Sequence, residues 1–173
     1  MILVSGSTCA LRPWKLSDAE SLVRHGNNRK VWRNLSDVFP HPCTAEDANE
    51  WLGMREADEP PIHSYAIIVE GEAVGSVGFD IMPLNYSVTA RVGYWLGEAF
   101  WGRGIATEAC GMLCEHIFNN FPDIQRLEAI VYEWNPASMR VLEKCGFVQE
   151  AIMKRAANKD GQIIDVHLFA RYR

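Results

Sequence analysis

The sequence is short of the features that would mark several common classes. No apolar run approaches the ~18 residues of a membrane-spanning helix, the longest clear one being Tyr65 to Val69. The apolar start, Met1 to Val4, has no basic flank and falls short of the ~7 residues of a signal-peptide core. There is no basic excess either: 17 Lys and Arg stand against 22 Asp and Glu, a net charge of −5. An electrostatic grip on nucleic acid needs a basic surplus gathered on one face, so that function class is set aside. The five cysteines, Cys9, Cys43, Cys110, Cys114 and Cys145, are odd in number and contain no C-x-x-C pair. They point to a reducing compartment and not to a disulfide scaffold. Cys110 and Cys114 could share a helix face as metal ligands, but no third ligand follows at zinc-like spacing, and burial as small hydrophobes is the reading taken. Repeats, linkers and low-complexity tracts are also missing, and 48% hydrophobic with 23% charged residues is ordinary globular composition. The expectation is one domain over 1–173, soluble and cytoplasmic, with neither a nucleic-acid nor a membrane partner.

What is present is a change of period along the chain. Ala10 to Arg12 is a short strand ahead of Pro13. Ser17 and Glu20 have capping-box spacing and open a helix that turns Ala19, Leu22 and Val23 inward. Thr44 and Asp47 open a second, with Ala48, Trp51 and Leu52 on its apolar face. Val31 to Cys43, rich in aromatics, Pro and His, has no clean period and reads as a shaped loop. Strands follow at Tyr65 to Glu70 and Ala73 to Phe79, joined by a Gly71-Glu72 turn of type II′. A third strand, Ala90 to Leu96, leads through Gly97 to Gly104 into a helix over Ile105 to Phe118. That helix buries Ala106, Cys110, Leu113 and Ile117 and exposes Glu108, Glu115 and Asn119. Leu127 to Glu133 is a strand, Asn135 an N-cap before Pro136, and Gly146 a helix stop with Phe147 packing back on Leu142. Ala151 to Ala157 and Ile163 to Ala170 form a last hairpin through Asp160-Gly161. The order predicts a mixed α/β (α+β) domain.

The segment Tyr94 to Ala109 carries the chemistry. A strand ends, Gly102-Arg103-Gly104 follows, and a helix opens on small residues. Helix N-termini offer unpaired N–H groups and a positive dipole end, and glycines let an anion come close. It is not a P-loop, because the turn holds no Lys. It is not a dinucleotide turn, because the sixth position from Gly102 is Thr107 and no acidic strand end follows. The remaining pattern, x-x-G-x-Gly/Ala after a strand, is met by Gly104 and Ala106.

Here the chain resembles the GNAT superfamily of acyl-CoA-dependent N-acetyltransferases, and within it the RimJ/RimL-like branch. The carriers span nearly the whole chain: Leu11-Arg12-Pro13, Phe39-Pro40-His41-Pro42, Gly93-Tyr94-Trp95-Leu96, Trp101 to Ala109, Asn135-Pro136-Ala137-Ser138 and Glu143 to Phe147. The resemblance implies a twisted, mixed, mostly antiparallel sheet of about seven strands with flanking helices. Its fourth and fifth strands, Ala90 to Leu96 and Leu127 to Glu133, would splay apart to admit the pantetheine arm of acetyl-CoA as a pseudo-strand. The pyrophosphate would lie on Trp101, Gly102, Arg103, Gly104, Ile105, Ala106 and Thr107, with Trp95 and Leu96 beside the arm. Trp101 stands where many members have Gln or Arg. A homodimer is common in the family.

Acetyl transfer to an amine needs a neutral amine, an aligned carbonyl, an oxyanion donor and a proton for the thiolate. By resemblance the backbone N–H near Leu96 is the oxyanion donor, Ser138 assists thiolate protonation, and Asn135 positions pantetheine or substrate. From spacing alone Asn135 is an N-cap and Ser138 a first-turn polar residue. Tyr132 is a further donor candidate and equally a packed strand aromatic. His41, His63, His116 and His167 are scattered and suggest no triad. The branch often carries Glu before the Gly-Tyr-Trp segment, where this chain has Arg91. Glu98, Glu133, Asp80 and Glu150 lie near in sequence without being placed over a cleft, and a water relay stands beside them. An α-amine, with a pKa near 8, is more easily neutral than a Lys amine near 10.4. The resemblance to RimJ/RimL proteins, which acetylate N-terminal amines of ribosomal proteins, implies a peptide or protein N-terminus as the acceptor. A small amine such as a polyamine, amino acid or aminoglycoside is the alternative, and a CoA-binding module without turnover is a third reading. Trp32, Phe39 and His41 are the candidate acceptor-wall residues, no metal is expected, and acetyl-CoA is the donor.

Overall fold

The computed structural model describes residues 3–173; Met1 and Ile2, half of the apolar stretch Met1 to Val4, lie outside the described residues. In chain order the elements are β1 (Val4–Ser5), β2 (Ala10–Pro13), α1 (Ala19–Gly26), α2 (Arg29–Trp32), α3 (Ala45–Glu56), β3 (Ser64–Val69), β4 (Glu72–Ile81), β5 (Thr89–Leu96), α4 (Ile105–Asn120), β6 (Arg126–Tyr132), α5 (Pro136–Lys144), β7 (Val148–Lys159) and β8 (Gln162–Tyr172). The strands form one sheet in the order β1-β2-β3-β4-β5-β6-β8-β7. Eight strands replace the expected seven, because Val4 and Ser5 add a short edge strand against Leu11 and Ala10. The chain divides into two compact units, one holding residues up to Gly78 with Tyr94–Ala109, the other Phe79–Gly93 with Cys110–Arg173.

In the first unit β1 to β4 run antiparallel with their neighbours. The hairpin between β3 and β4 closes on the Val69–Glu72 pair. Its two central residues are Glu70 and Gly71, at φ 52° and 87°. Positive φ at both positions makes this a type I′ turn, one residue earlier than the expected Gly71-Glu72 turn. Against the sheet lies a core of Trp14, Leu22, Cys43, Ala48, Leu52, Ala66 and Ala73, with Trp14 edge-on to Trp51 at 5.3 Å. α3 starts as expected: the Thr44 hydroxyl accepts from the Asp47 N–H, and the Asp47 carboxylate takes the Thr44 N–H at 2.8 Å. The start of α1 does not follow the Ser17–Glu20 pattern. Asp18, buried, binds both terminal nitrogens of Arg12 at 2.7 Å and the Lys15 N–H at 3.0 Å. A bidentate, charge-assisted pair outcompetes a neutral serine cap, so Leu16–Asp18 form a 3₁₀ turn and α1 begins at Ala19. Glu20 instead bonds Arg24 one turn on.

In the second unit β5 and β6 run parallel, through Thr89–Arg126, Ala90–Leu127 and Arg91–Glu128, while β8 runs antiparallel to both β6 and β7. Among the described residues the β5–β6 register extends no further. The β7–β8 hairpin turns on Asp160 and Gly161 at φ 54° and 74°, as the sequence predicts, although both strands run longer than expected. β7 lies at the sheet edge and is irregular after Met153, with Arg155 at φ 53°, a break of the kind that discourages edge pairing. The C-terminal Arg173 ties down the end of α4: its guanidinium donates to the carbonyls of Phe118, Phe121 and Ile124 at 2.7 to 2.9 Å. Helix C-terminal carbonyls lack intrahelical partners, and a cation suits that dipole end. All five cysteines are buried and free. Cys110, Cys114 and Cys145 hydrogen-bond among themselves, which pushes the Cys110 thiol well up.

Candidate active site

Most residues of the turn before α4 are anchored to neighbouring parts of the chain. Gly97 donates its N–H to the Val74 carbonyl at 2.8 Å and lies so close to His25 that a Cβ would sit 2.9 Å from its side chain. A 3₁₀ turn, Glu98–Phe100, follows. Glu98 accepts from Asn28 at 2.8 Å and pairs with Lys30; those two donors, Lys30 first, draw its carboxyl below the ordinary range. The Phe100 ring meets the His25 ring edge-on at 5.3 Å, and Arg103 lies over Phe100 at 5.4 Å. Trp101 returns its indole N–H to the Leu96 carbonyl at 2.7 Å. The Trp101 ring thus braces the end of β5.

Two residues of the turn need glycine for their backbone. Gly102 and Gly104 have φ 74° and 79°, and a Cβ at either would meet nothing within 4 Å. The left-handed conformation, and not crowding, is what excludes other residues. Ile105 is buried, while Ala106 and Thr107 are half-buried, so Ala106 is less inward than its spacing suggested. A short backbone path with two left-handed glycines, opening directly into a sixteen-residue helix, has the chemistry to receive an anion at backbone N–H groups.

β4 and β5 approach closely just before this turn. A Cβ on Gly75 would lie 2.3 Å from the Trp95 carbonyl oxygen and 3.0 Å from the Leu96 Cα. Phe39 packs edge-on against Trp95 at 5.6 Å, in space left by Gly26, where a Cβ would be 2.8 Å from the Phe39 ring. Trp32 and His41 stack at 5.4 Å with Arg29 over the Trp32 ring at 5.8 Å. The structure thus splits the three acceptor-wall candidates: Phe39 belongs to the core layer beside Trp95, while exposed His41 and half-buried Trp32 form a separate stacked pair.

In the second unit Asn135 caps α5, its Oδ1 accepting from the Ser138 N–H at 3.2 Å, and Pro136 occupies the first helical position. Ser138 is half-buried, Leu142 and Cys145 on the same stripe are buried, and Phe147 N–H bonds the Leu142 carbonyl at 3.0 Å. Tyr132 is half-buried and edge-on to Trp134 at 6.2 Å. Arg91 is held by Glu128, its Nη2 at 2.6 Å and Nε at 2.9 Å from one carboxylate oxygen. The charges continue across the strands: Arg126 bonds both oxygens of Glu150, and the Tyr172 hydroxyl also donates to Glu150. Arg126 and then Tyr172 hold the Glu150 carboxyl down at about 2. Glu133 accepts from the Asp165 N–H at 2.9 Å. Of the four carboxylates near the motifs in sequence, Glu98 and Glu150 are thus locked in their charged forms, Glu133 is engaged with backbone, and Asp80 is exposed. A general base needs a pKa near the working pH, and Glu98 and Glu150 are shifted the other way.

Two residues near the turn escaped sequence reasoning. His25, half-buried on α1, has its Nε2 2.8 Å from Glu72 and its ring against Phe100 and Gly97. Glu108, expected on the solvent face of α4, has its carboxylate wrapped by the segment Ser7 to Cys9. Neither has a local signal, since the partners lie 47 and about 100 residues away. Among the described residues no group of three or more His, Cys, Asp or Glu could hold a metal ion, and no helix is long and apolar enough to cross a membrane.

Comparison with known proteins identifies the family. Residues 9–148 match the acetyltransferase (GNAT) domain. The chain is 34% identical over 108 residues to the ribosomal-protein-serine acetyltransferase of Escherichia coli K12, covering 62% of this chain and 59% of that protein. It is 25% identical over 166 residues to the L-amino acid N-acetyltransferase of the same organism, covering 95% and 98%. Among solved structures, RimL, a ribosomal alpha-N-protein acetyltransferase in complex with coenzyme A, superimposes with a TM-score of 0.85 at 27% identity over 99% of this chain and 98% of that one. With four-fifths of its length matched, and with the mixed sheet and glycine-opened helix in place, the chain belongs to the GNAT family of N-acetyltransferases.

Proposed function

We propose that the protein transfers the acetyl group of acetyl-CoA to an N-terminal α-amine of a peptide or protein. The observation that carries the donor half is the pair of left-handed glycines, Gly102 and Gly104, opening α4. The pyrophosphate lies on the Trp101 to Thr107 turn and binds its backbone N–H groups from Gly102 onward, that of Trp101 being donated to the Glu98 carbonyl at 3.2 Å; the chain's net negative charge makes that local grip the relevant one, with Arg103 at its rim. The Leu96 N–H faces the developing oxyanion, and the Ser138 hydroxyl delivers a proton to the departing thiolate while Asn135 orients the pantetheine arm. The amine proton goes to water, consistent with two carboxylates close to the motifs in sequence, Glu98 and Glu150, being held below their ordinary pKa values.

The α-amine reading is supported by chemistry and by kinship. An α-amine near pKa 8 is about a tenth neutral at pH 7 and asks little of a base, and relatives of this chain acetylate ribosomal proteins. The alternative is a small amine such as an amino acid, favoured by the full-length likeness to an L-amino acid N-acetyltransferase. Release of free thiol from acetyl-CoA, measured with a panel of N-terminal peptides, amino acids, polyamines and aminoglycosides, separates the two. Turnover with peptides and little with free amino acids is expected. Preference for a small amine overturns the acceptor assignment, and donor binding with no transfer to any acceptor supports a binding module.

A further inference from the structure

Glu108 lies in the first turn of α4, immediately after the proposed pyrophosphate turn, yet its carboxylate is turned to a distant part of the chain. One oxygen accepts from the Ser7 N–H and hydroxyl, both at 2.6 Å. The other accepts from the Thr8 N–H at 2.7 Å, the Thr8 hydroxyl at 2.6 Å and the Cys9 N–H at 3.1 Å. Three successive backbone N–H groups form an anion-binding concavity, and the carboxylate fills it. Gly6 completes the fit, since a Cβ there would lie 2.4 Å from the Glu108 carboxyl carbon. At its other end Glu108 donates its N–H to the Gly104 carbonyl at 3.0 Å. The Cys9 thiol reaches the Ile105 carbonyl at 3.9 Å. The start of β2, the carboxylate, the first helical turn and a left-handed glycine are thus linked in series.

We infer that Glu108 is a positioning residue for the donor, clamped by Gly6 to Cys9 so that the Gly104 turn is held in the conformation that receives the pyrophosphate. This rests on the donor reading given above and adds a residue and a mechanism to it. Burial alone would raise the Glu108 carboxyl, but the Ser7 and Thr8 donors outweigh it and hold the group well below the ordinary range, so the clamp is charged throughout the physiological range. A free carboxylate in a helix's first turn would itself interact with the positive dipole end and repel a polyanion; the clamp commits it elsewhere. The through-solvent repulsion is screened beyond roughly 8 Å at physiological salt, whereas small misplacements of binding groups cost up to about a hundredfold. Geometry is the larger effect.

The test is calorimetric affinity for acetyl-CoA, with NMR titration of S-acetylpantetheine, which lacks the pyrophosphate, for wild type, Gly6→Ala and Glu108→Gln. Gly6→Ala keeps the charge and pushes the carboxylate off its donors. Glu108→Gln keeps the shape but turns an amide N–H₂ toward N–H donors. Both variants are expected to bind acetyl-CoA on the order of tenfold more weakly and S-acetylpantetheine as wild type does. The double variant should lose little more than either single one. Unchanged acetyl-CoA affinity in both variants, with wild type binding, overturns the inference alone. So does equal weakening for both probes, which a merely structural tie would give, and so does tighter binding by Glu108→Gln with Gly6→Ala unchanged, which would make Glu108 only a charge. No binding by wild type overturns the donor reading itself and this inference with it.

Discussion

The two helices that follow the sequence motifs start in opposite ways. α5 is opened by a side chain: Asn135 takes the Ser138 N–H, and Pro136 removes another donor at the first position. α4 is opened by backbone: two glycines at φ 74° and 79° turn the chain into the helix. Its nearest acidic side chain, Glu108, is drawn off to Ser7, Thr8 and Cys9. A helix start that caps itself has spent part of its anion-binding capacity on its own residues. One that is opened by glycine, and whose acidic neighbour is engaged elsewhere, keeps that capacity for a ligand. The difference explains why the donor phosphates are assigned to α4 and only side-chain roles to α5.

The contrast is broken most strongly by Gly104→Val. A β-branched residue at φ 79° is strained even though the space around it is open. Acetyl-CoA at 100 times its dissociation constant should stabilise the wild type by about 2.7 kcal/mol, read as a rise in Tm, and the variant should show no rise. A normal rise would move the cradle elsewhere. Next comes Ser138→Ala, which should lower turnover at saturating donor on the order of a hundredfold if its hydroxyl serves the thiolate, with acetyl-CoA affinity retained. Full turnover would leave Ser138 as a first-turn residue only. Asn135→Ala should cost about 1 kcal/mol in urea unfolding through loss of the cap, and Asn135→Ser should recover most of it. Equal losses in both variants would show that capping is not its structural role. The smallest effect is expected away from both helix starts. Arg91→Ala removes a pair whose arginine side chain is 43% exposed, and stability should move by less than about 1 kcal/mol. A larger loss would mean that the charges on Arg91, Glu128, Arg126 and Glu150 act as one network.

Much of this was legible from local pattern. The Thr44–Asp47 box, the Asn135 cap, Gly146 and the Asp160-Gly161 turn are decided by residues within a few positions of one another, and each forms as its spacing predicts. The failures are competitions that local pattern does not contain. Ser17 loses the start of α1 because Asp18 has a better partner in Arg12 on β2. The β3–β4 turn shifts by one residue because the Val69–Glu72 register closes it, placing Glu70 at positive φ. The glycines before α4 were readable in the sequence, but the bracing of their turn was not. Trp101 on the Leu96 carbonyl, His25 behind Gly97 and Glu108 in the Gly6–Cys9 clamp all depend on tertiary placement. Phe39 likewise owes its place in the core to a distant residue, Gly26, which makes room for it beside Trp95.

The central claim is that the glycine-opened start of α4 holds the donor. A crystal structure with coenzyme A bound tests it most directly. Pyrophosphate oxygens are expected within hydrogen-bond distance of backbone N–H groups between Trp101 and Thr107, with Glu108 still clamped by Ser7 to Cys9. A pyrophosphate seated anywhere else, or held by side chains with that turn empty, would contradict it.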